Sequence, residues 1–138
     1  SNPKTKLERT SYNVCEGMYS GLLKVSRIDS ANAVAMHTPV TEFSWKVNPN
    51  MWIELDFMGN TDLVVGLAGI SEGGMNYNLP FISLKPQEEY RKVYLDLTEE
   101  IINHRALSVT VYVMAAYNKS YDAEDQRVYF DNFKIITN

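Results

Sequence analysis

Apolar and polar residues alternate with a period of two along much of this chain. In 51–58, Met51, Ile53, Leu55 and Phe57 alternate with Trp52, Glu54, Asp56 and Met58. Successive side chains of a strand point to opposite faces, so the pattern predicts a strand with one buried face. The same period runs through 106–115, with Leu107, Val109, Val111 and Val113 against Ser108, Thr110, Tyr112 and Met114. It returns in 91–97, with Val93, Leu95 and Leu97 against Lys92, Tyr94 and Asp96. Residues 128–136 are β-branched and aromatic, as strands favour. Further strands are predicted at 12–16, 22–28, 33–37, 42–47, 63–70 and 81–84. Turn chemistry separates them, notably Asp29-Ser30, Asn48-Pro49-Asn50, Gly59-Asn60 and Gly73-Gly74.

Short strands at this spacing predict an all-β fold, an antiparallel two-sheet β-sandwich of jelly-roll type. One helical turn is expected after 97. Thr98 would cap it, Glu99 and Glu100 suit its positive end, and Ile101 and Ile102 would tie it to the core. Trp45 lies in phase with Phe43 and Val47 and reads as core. The length of 138 residues fits one domain over 11–138, with 1–10 as a polar N-terminal tether.

Composition removes several classes of function. Hydrophobic residues make up 45% and charged residues 22%, which excludes a disordered chain. Residues 1–50 carry six Lys/Arg and four Asp/Glu, and residues 51–138 carry seven and thirteen, so the balance moves from +2 to −6. No basic cluster exists to neutralise phosphates, which argues against nucleic acid and against an anionic membrane surface. Cys15 is the single cysteine, reads as a small buried hydrophobe and forms no intrachain disulfide. No apolar run approaches a membrane span, and no signal peptide opens the chain.

Familiar catalytic patterns are missing. His37 and His104 lie apart in different contexts, and no HExxH, CxxC or phosphate loop occurs. The informative feature is the polar side of the central strands. Trp52, Glu54 and Asp56 project opposite Ile53 and Leu55, Tyr94 and Asp96 opposite Val93 and Leu95, and Tyr112 opposite Val111. If these strands share a sheet, one face carries aromatics among carboxylates. Sugars are recognised by that mixture: their C–H faces stack on flat rings, and carboxylates accept their hydroxyl hydrogen bonds. Two loops would add contacts. The polar 71–80 segment carries Tyr77, which would close over the face. The 117–127 segment carries Asp122, Glu124 and Asp125, hard oxygen ligands for Ca²⁺, but without EF-hand spacing.

Two segments carry a family resemblance. Residues 90–98 (YRKVYLDLT) resemble a strand common in galactose-binding-like jelly rolls, including many carbohydrate-binding modules. Residues 128–135 (VYFDNFKI) look like the closing strand of those domains, with its Asp-Asn pair. The chain is also similar to small surface lipoproteins of gut Bacteroidetes. The resemblance implies a structural Ca²⁺ held by Asp131 with Glu16. The family often has Trp where Tyr90 stands, and Glu16 alone represents its early acidic motif.

The expected function is therefore non-catalytic carbohydrate binding at the cell surface or in the periplasm, with a lipid anchor upstream. Trp52, Tyr94 and Tyr112 would stack, Glu54, Asp56 and Asp96 would accept hydroxyls, and Tyr77 would close the site. The alternatives are a module that docks on a surface protein through the same aromatic face, a hydrolase using two of these carboxylates, and a lipid carrier. A lipid carrier needs an apolar cavity, which the Trp52 face does not suggest.

Overall fold

The computed structural model describes residues 7–8, 19–28 and 31–137. Among the described residues, nine strands and one short helix follow in the order β1 (Leu7–Glu8), β2 (Tyr19–Ser26), β3 (Ala33–Met36), β4 (Met51–Gly59), β5 (Leu63–Ile70), β6 (Asn76–Leu84), β7 (Gln87–Asp96), α1 (Thr98–Asn103), β8 (Thr110–Ala115) and β9 (Asp125–Thr137). They form two antiparallel sheets, ordered β1-β2-β9-β4-β7 and β3-β8-β5-β6. This is the jelly-roll sandwich that the alternating pattern predicts.

The core lies between the sheets, because burying one face of each strand removes apolar surface from water. Ile53, Leu55 and Phe57 of β4 and Val128 and Phe130 of β9 are at most 2% exposed, as are Val65 and Leu67 of β5 and Val111 and Val113 of β8. Phase is interrupted once in β9. Phe57 pairs with Phe130 and Asp56 with Asp131, but Glu54 pairs with Lys134, so an extra residue is inserted. Asn132 takes that position with φ of 53°. The bulge returns Phe133 to the core at 1% exposure.

Several local expectations change. Residues 42–47 form no strand. Val40, just before them, forms an isolated bridge to Val109, and Val47 is 68% exposed. Trp45 instead packs half-buried against the core edge, its indole N–H donating to Glu72 at 3.1 Å. The second half of the 71–80 segment is strand. Gly73 and Gly74, at φ of 96° and 85°, allow a tight turn closed by a Ser71 N–H to Met75 carbonyl bond of 2.7 Å. Tyr77 therefore belongs to β6. Thr98 does not cap α1: its Oγ1 is buried without a partner, while Asp96 Oδ1 accepts the Thr98 N–H at 2.9 Å. Ile101 is buried, whereas Ile102 is 44% exposed. Within the segment expected as a tether, Leu7 pairs with Leu23 and Glu8 with Leu22. The 12–16 strand and Cys15 lie outside the described residues.

Candidate functional site

The outer face of the five-stranded sheet gathers five of the seven expected ligand-binding residues. Register places them side by side. Trp52 lies between Asp96 of β7 and Ile136 of β9, Glu54 between Tyr94 and Lys134, and Asp56 between Lys92 and Asp131. Directly paired side chains of neighbouring strands stand within contact distance, so these rows form one continuous surface. Trp52 is 41% and Tyr94 60% exposed, so both rings are available from solvent.

Between the rings lies a charged floor. Glu54 is nearly buried, with Lys134 Nζ at 2.7 Å and Lys92 Nζ at 3.4 Å. Lys92 also reaches Asp56 at 3.6 Å. The bulge aims the Asn132 amide at Asp56 Oδ2, 2.7 Å away. Asp131 Oδ1 accepts the Ser20 hydroxyl and the Asn132 N–H, each at 2.7 Å. Two more aromatics continue the surface. Tyr90 is 51% exposed, and burial, then the charge of Asp131, pushes its hydroxyl pKa up. Tyr129 pairs with Met58 across the sheet. Beyond them the face ends in a depression of about 320 Å³ lined by Met58, Gln87, Glu88, Arg127 and Tyr129. From Trp52 to Met58 the floor runs about 20 Å along β4, at roughly 3.4 Å per residue.

Tyr112 and Tyr77 are elsewhere. β8 pairs with β3 and β5, so Tyr112 belongs to the other sheet. It is 8% exposed, donates to Asn78 Oδ1 at 2.8 Å and lies against Gly66. A methyl on Gly66 would stand 2.1 Å from the Tyr112 ring, so the glycine makes room for it. Tyr77 donates to the Ser108 carbonyl at 2.8 Å and stacks on His104 at 5.0 Å. Burial raises its pKa from 10.0 to about 12. Both rings serve packing and neither reaches Trp52. Asp96 shares the Trp52 face but spends one carboxylate oxygen on the helix start.

Sequence reasoning missed Lys92, Lys134 and Asn132. Lys92 stands in phase with Tyr94 and Asp96, which is a legible signal. Asn132 stands beside Asp131, but only the bulge turns it toward Asp56. For calcium, Glu16 lies outside the described residues. Among the described residues no three His, Cys, Asp or Glu side chains gather to hold a metal. Ca²⁺ takes six to eight oxygens, and Asp131 Oδ1 accepts two protein donors. In the 117–127 segment, Glu124 pairs with Arg27 at 3.0 Å instead.

No family model and no curated protein sequence matches the chain. Solved structures do. The fold is similar to a family 30 carbohydrate-binding module, with a TM-score of 0.59, 15% identity, and 96% of this chain and 83% of that one covered. It is similar to a variant of a family 29 carbohydrate-binding module complexed with mannohexaose, with a TM-score of 0.53, 12% identity, and 94% and 74% covered. A second variant of that family 29 module, complexed with cellulohexaose, gives a TM-score of 0.53 at 11% identity, with 94% and 89% covered. The chain thus has the jelly-roll sandwich fold seen in these carbohydrate-binding modules.

Proposed function

We propose that this domain binds a neutral glycan chain, without catalysis, along the outer face of the five-stranded sheet. One observation carries the reading: two solvent-open aromatic rings, Trp52 and Tyr94, flank carboxylates that lysines pin in place. Sugar C–H faces stack on the rings. Glu54 and Asp56 accept hydroxyl hydrogen bonds, while Lys92, Lys134 and the Asn132 amide donate. A neutral chain suits the floor, because Glu54, Asp56 and Asp131 outnumber Lys92 and Lys134. An anionic sugar would meet net repulsion. The similarity to family 29 and family 30 modules supports a non-catalytic role. A home at the cell surface or in the periplasm, with an upstream lipid anchor, belongs to the same proposal.

Affinity should be modest, because an open, solvated face must desolvate several polar groups. The test is calorimetric titration with mannohexaose and cellulohexaose, backed by a broad glycan array. Binding that falls about tenfold in Trp52→Ala or Tyr94→Ala, a loss of about 1.4 kcal/mol, supports the assignment. A folded sample silent across the array points instead to a protein partner on the aromatic face.

A further inference from the structure

The other face of the sandwich holds a second cavity, of about 590 Å³, away from Trp52. That volume lies within the range of roughly 300–1,000 Å³ usual for small-molecule sites. Val64 of β5 and Ser83 of β6 form its floor, and Ala116, Tyr117, Asn118 and Lys119 wall it where the chain leaves β8. Asp62, just before β5, lines it too.

The wall is fastened in place. Gln126 is fully buried at the base of the 117–124 loop. Its amide donates to the carbonyls of Asn118 at 2.8 Å and Ala123 at 3.2 Å, and its oxygen accepts the Asn118 N–H at 2.8 Å. The Tyr121 hydroxyl donates to Asp62 Oδ1 at 2.7 Å, and the Asn118 amide reaches Asp62 Oδ2 at 3.4 Å. Across the mouth, the Arg27 N–H donates to the Glu124 carbonyl at 3.1 Å, which ties the exit of β2 to the same loop. The carboxylate of Asp62 is only 19% exposed and is oriented before any ligand arrives. Preorganisation of this kind lowers the ordering cost of binding.

We infer that this cavity is a second binding site, which takes one terminal pyranose unit. Apolar walls from Val64, Ala116 and the Tyr117 ring suit the C–H face of one sugar. Asp62, Ser83 and the Asn118 amide suit its hydroxyls. Cationic ligands are disfavoured, since Arg27 and Lys119 line the cavity and Lys85 lies 4.0 Å from Asp62. The sheet face is long and admits the interior of a chain, whereas this cleft of about 590 Å³, open to solvent, has room for a single unit. The inference stands independently of the sheet-face reading.

The experiment is amide NMR titration of the whole domain with the methyl glycosides of glucose, galactose, mannose and glucuronic acid. The parent, Trp52→Ala, Asp62→Asn and Val64→Phe are compared. Val64→Phe fills the cavity from the strand side and leaves the loop bonds untouched, and dispersed spectra establish folding for each variant. Shifts at Val64, Ser83 and Asn118 with at least one probe are expected in the parent and in Trp52→Ala. Affinity should drop about tenfold or more in Asp62→Asn and Val64→Phe. No shift at these amides with any of the four probes overturns the inference. So do shifts that survive Val64→Phe, or that are confined to the Trp52 face.

Discussion

Glu54 sits in the middle of a solvated face, yet its side chain is only 10% exposed. A buried carboxylate costs free energy unless it is paired and hydrogen-bonded, and here two ammonium groups supply that. Removing the nearer one should therefore hurt more than an ordinary surface change. Lys134→Met is expected to cost about 1–3 kcal/mol, the usual penalty for stranding a buried charged partner, read as a lower urea midpoint. Restoration of the midpoint in the double variant Lys134→Met/Glu54→Gln would confirm the cause, and an unchanged midpoint in Lys134→Met would refute it. Tyr77 offers a pH-dependent counterpart. Its folded pKa of about 12 lies above the ordinary 10.0, so between those values the folded state keeps a proton that the unfolded chain has lost. Stability from this group is complete below pH 10 and is lost as pH rises toward 12. Tyr77→Phe has no such proton, so its stability should fall less steeply over that window. Parallel slopes for the two proteins in denaturant titrations would count against this origin.

At the level of elements, the β9 bulge does the most to shape the site. It lets Phe130 and Phe133 both face the core, and it turns Asn132 toward Asp56. Asn132 has a positive φ, which asparagine tolerates and alanine resists at about 1–2 kcal/mol. Asn132→Gly should keep stability and lose only the amide contact, while Asn132→Ala should lose both. Thermal melts together with glycan titrations separate the two effects, and equal melting points for the variants would disprove the strain argument. The alternation in the sequence located β4, β7 and β8, because one buried face imposes a period of two. It could not say which strands pair. Trp52, Tyr94 and Tyr112 all stand on polar sides of alternating strands, yet β7 joins β4 whereas β8 joins β5. Pairing depends on non-local contacts that no local period encodes. The 42–47 segment failed for a related reason: its alternation serves an edge strap with Trp45 over the core, which needs no ladder.

On the scale of the whole molecule, the two sheets present different surfaces. One bears a charged floor with open rings, and the other a tyrosine ring packed against Gly66 and an open cleft. A sandwich holds such faces apart because its core is between them, so each can be altered without the other. Calcium is a question at this scale, since a bound ion stabilises the entire fold by linkage. Asp131 Oδ1 accepts from the Ser20 hydroxyl of β2 and from the Asn132 N–H, so protein donors link the β2–β9 junction. A junction held by protein donors alone gives the same melting temperature in chelator and in millimolar Ca²⁺. A cation shared between Asp131 and Glu16 would behave differently. At a hundredfold excess over its dissociation constant it would add about 2.7 kcal/mol, a rise of several degrees for a domain of this length. Such a rise, lost in Asp131→Asn and in Glu16→Gln alike, would establish the metal and show that Ser20 and Asn132 only orient its ligand.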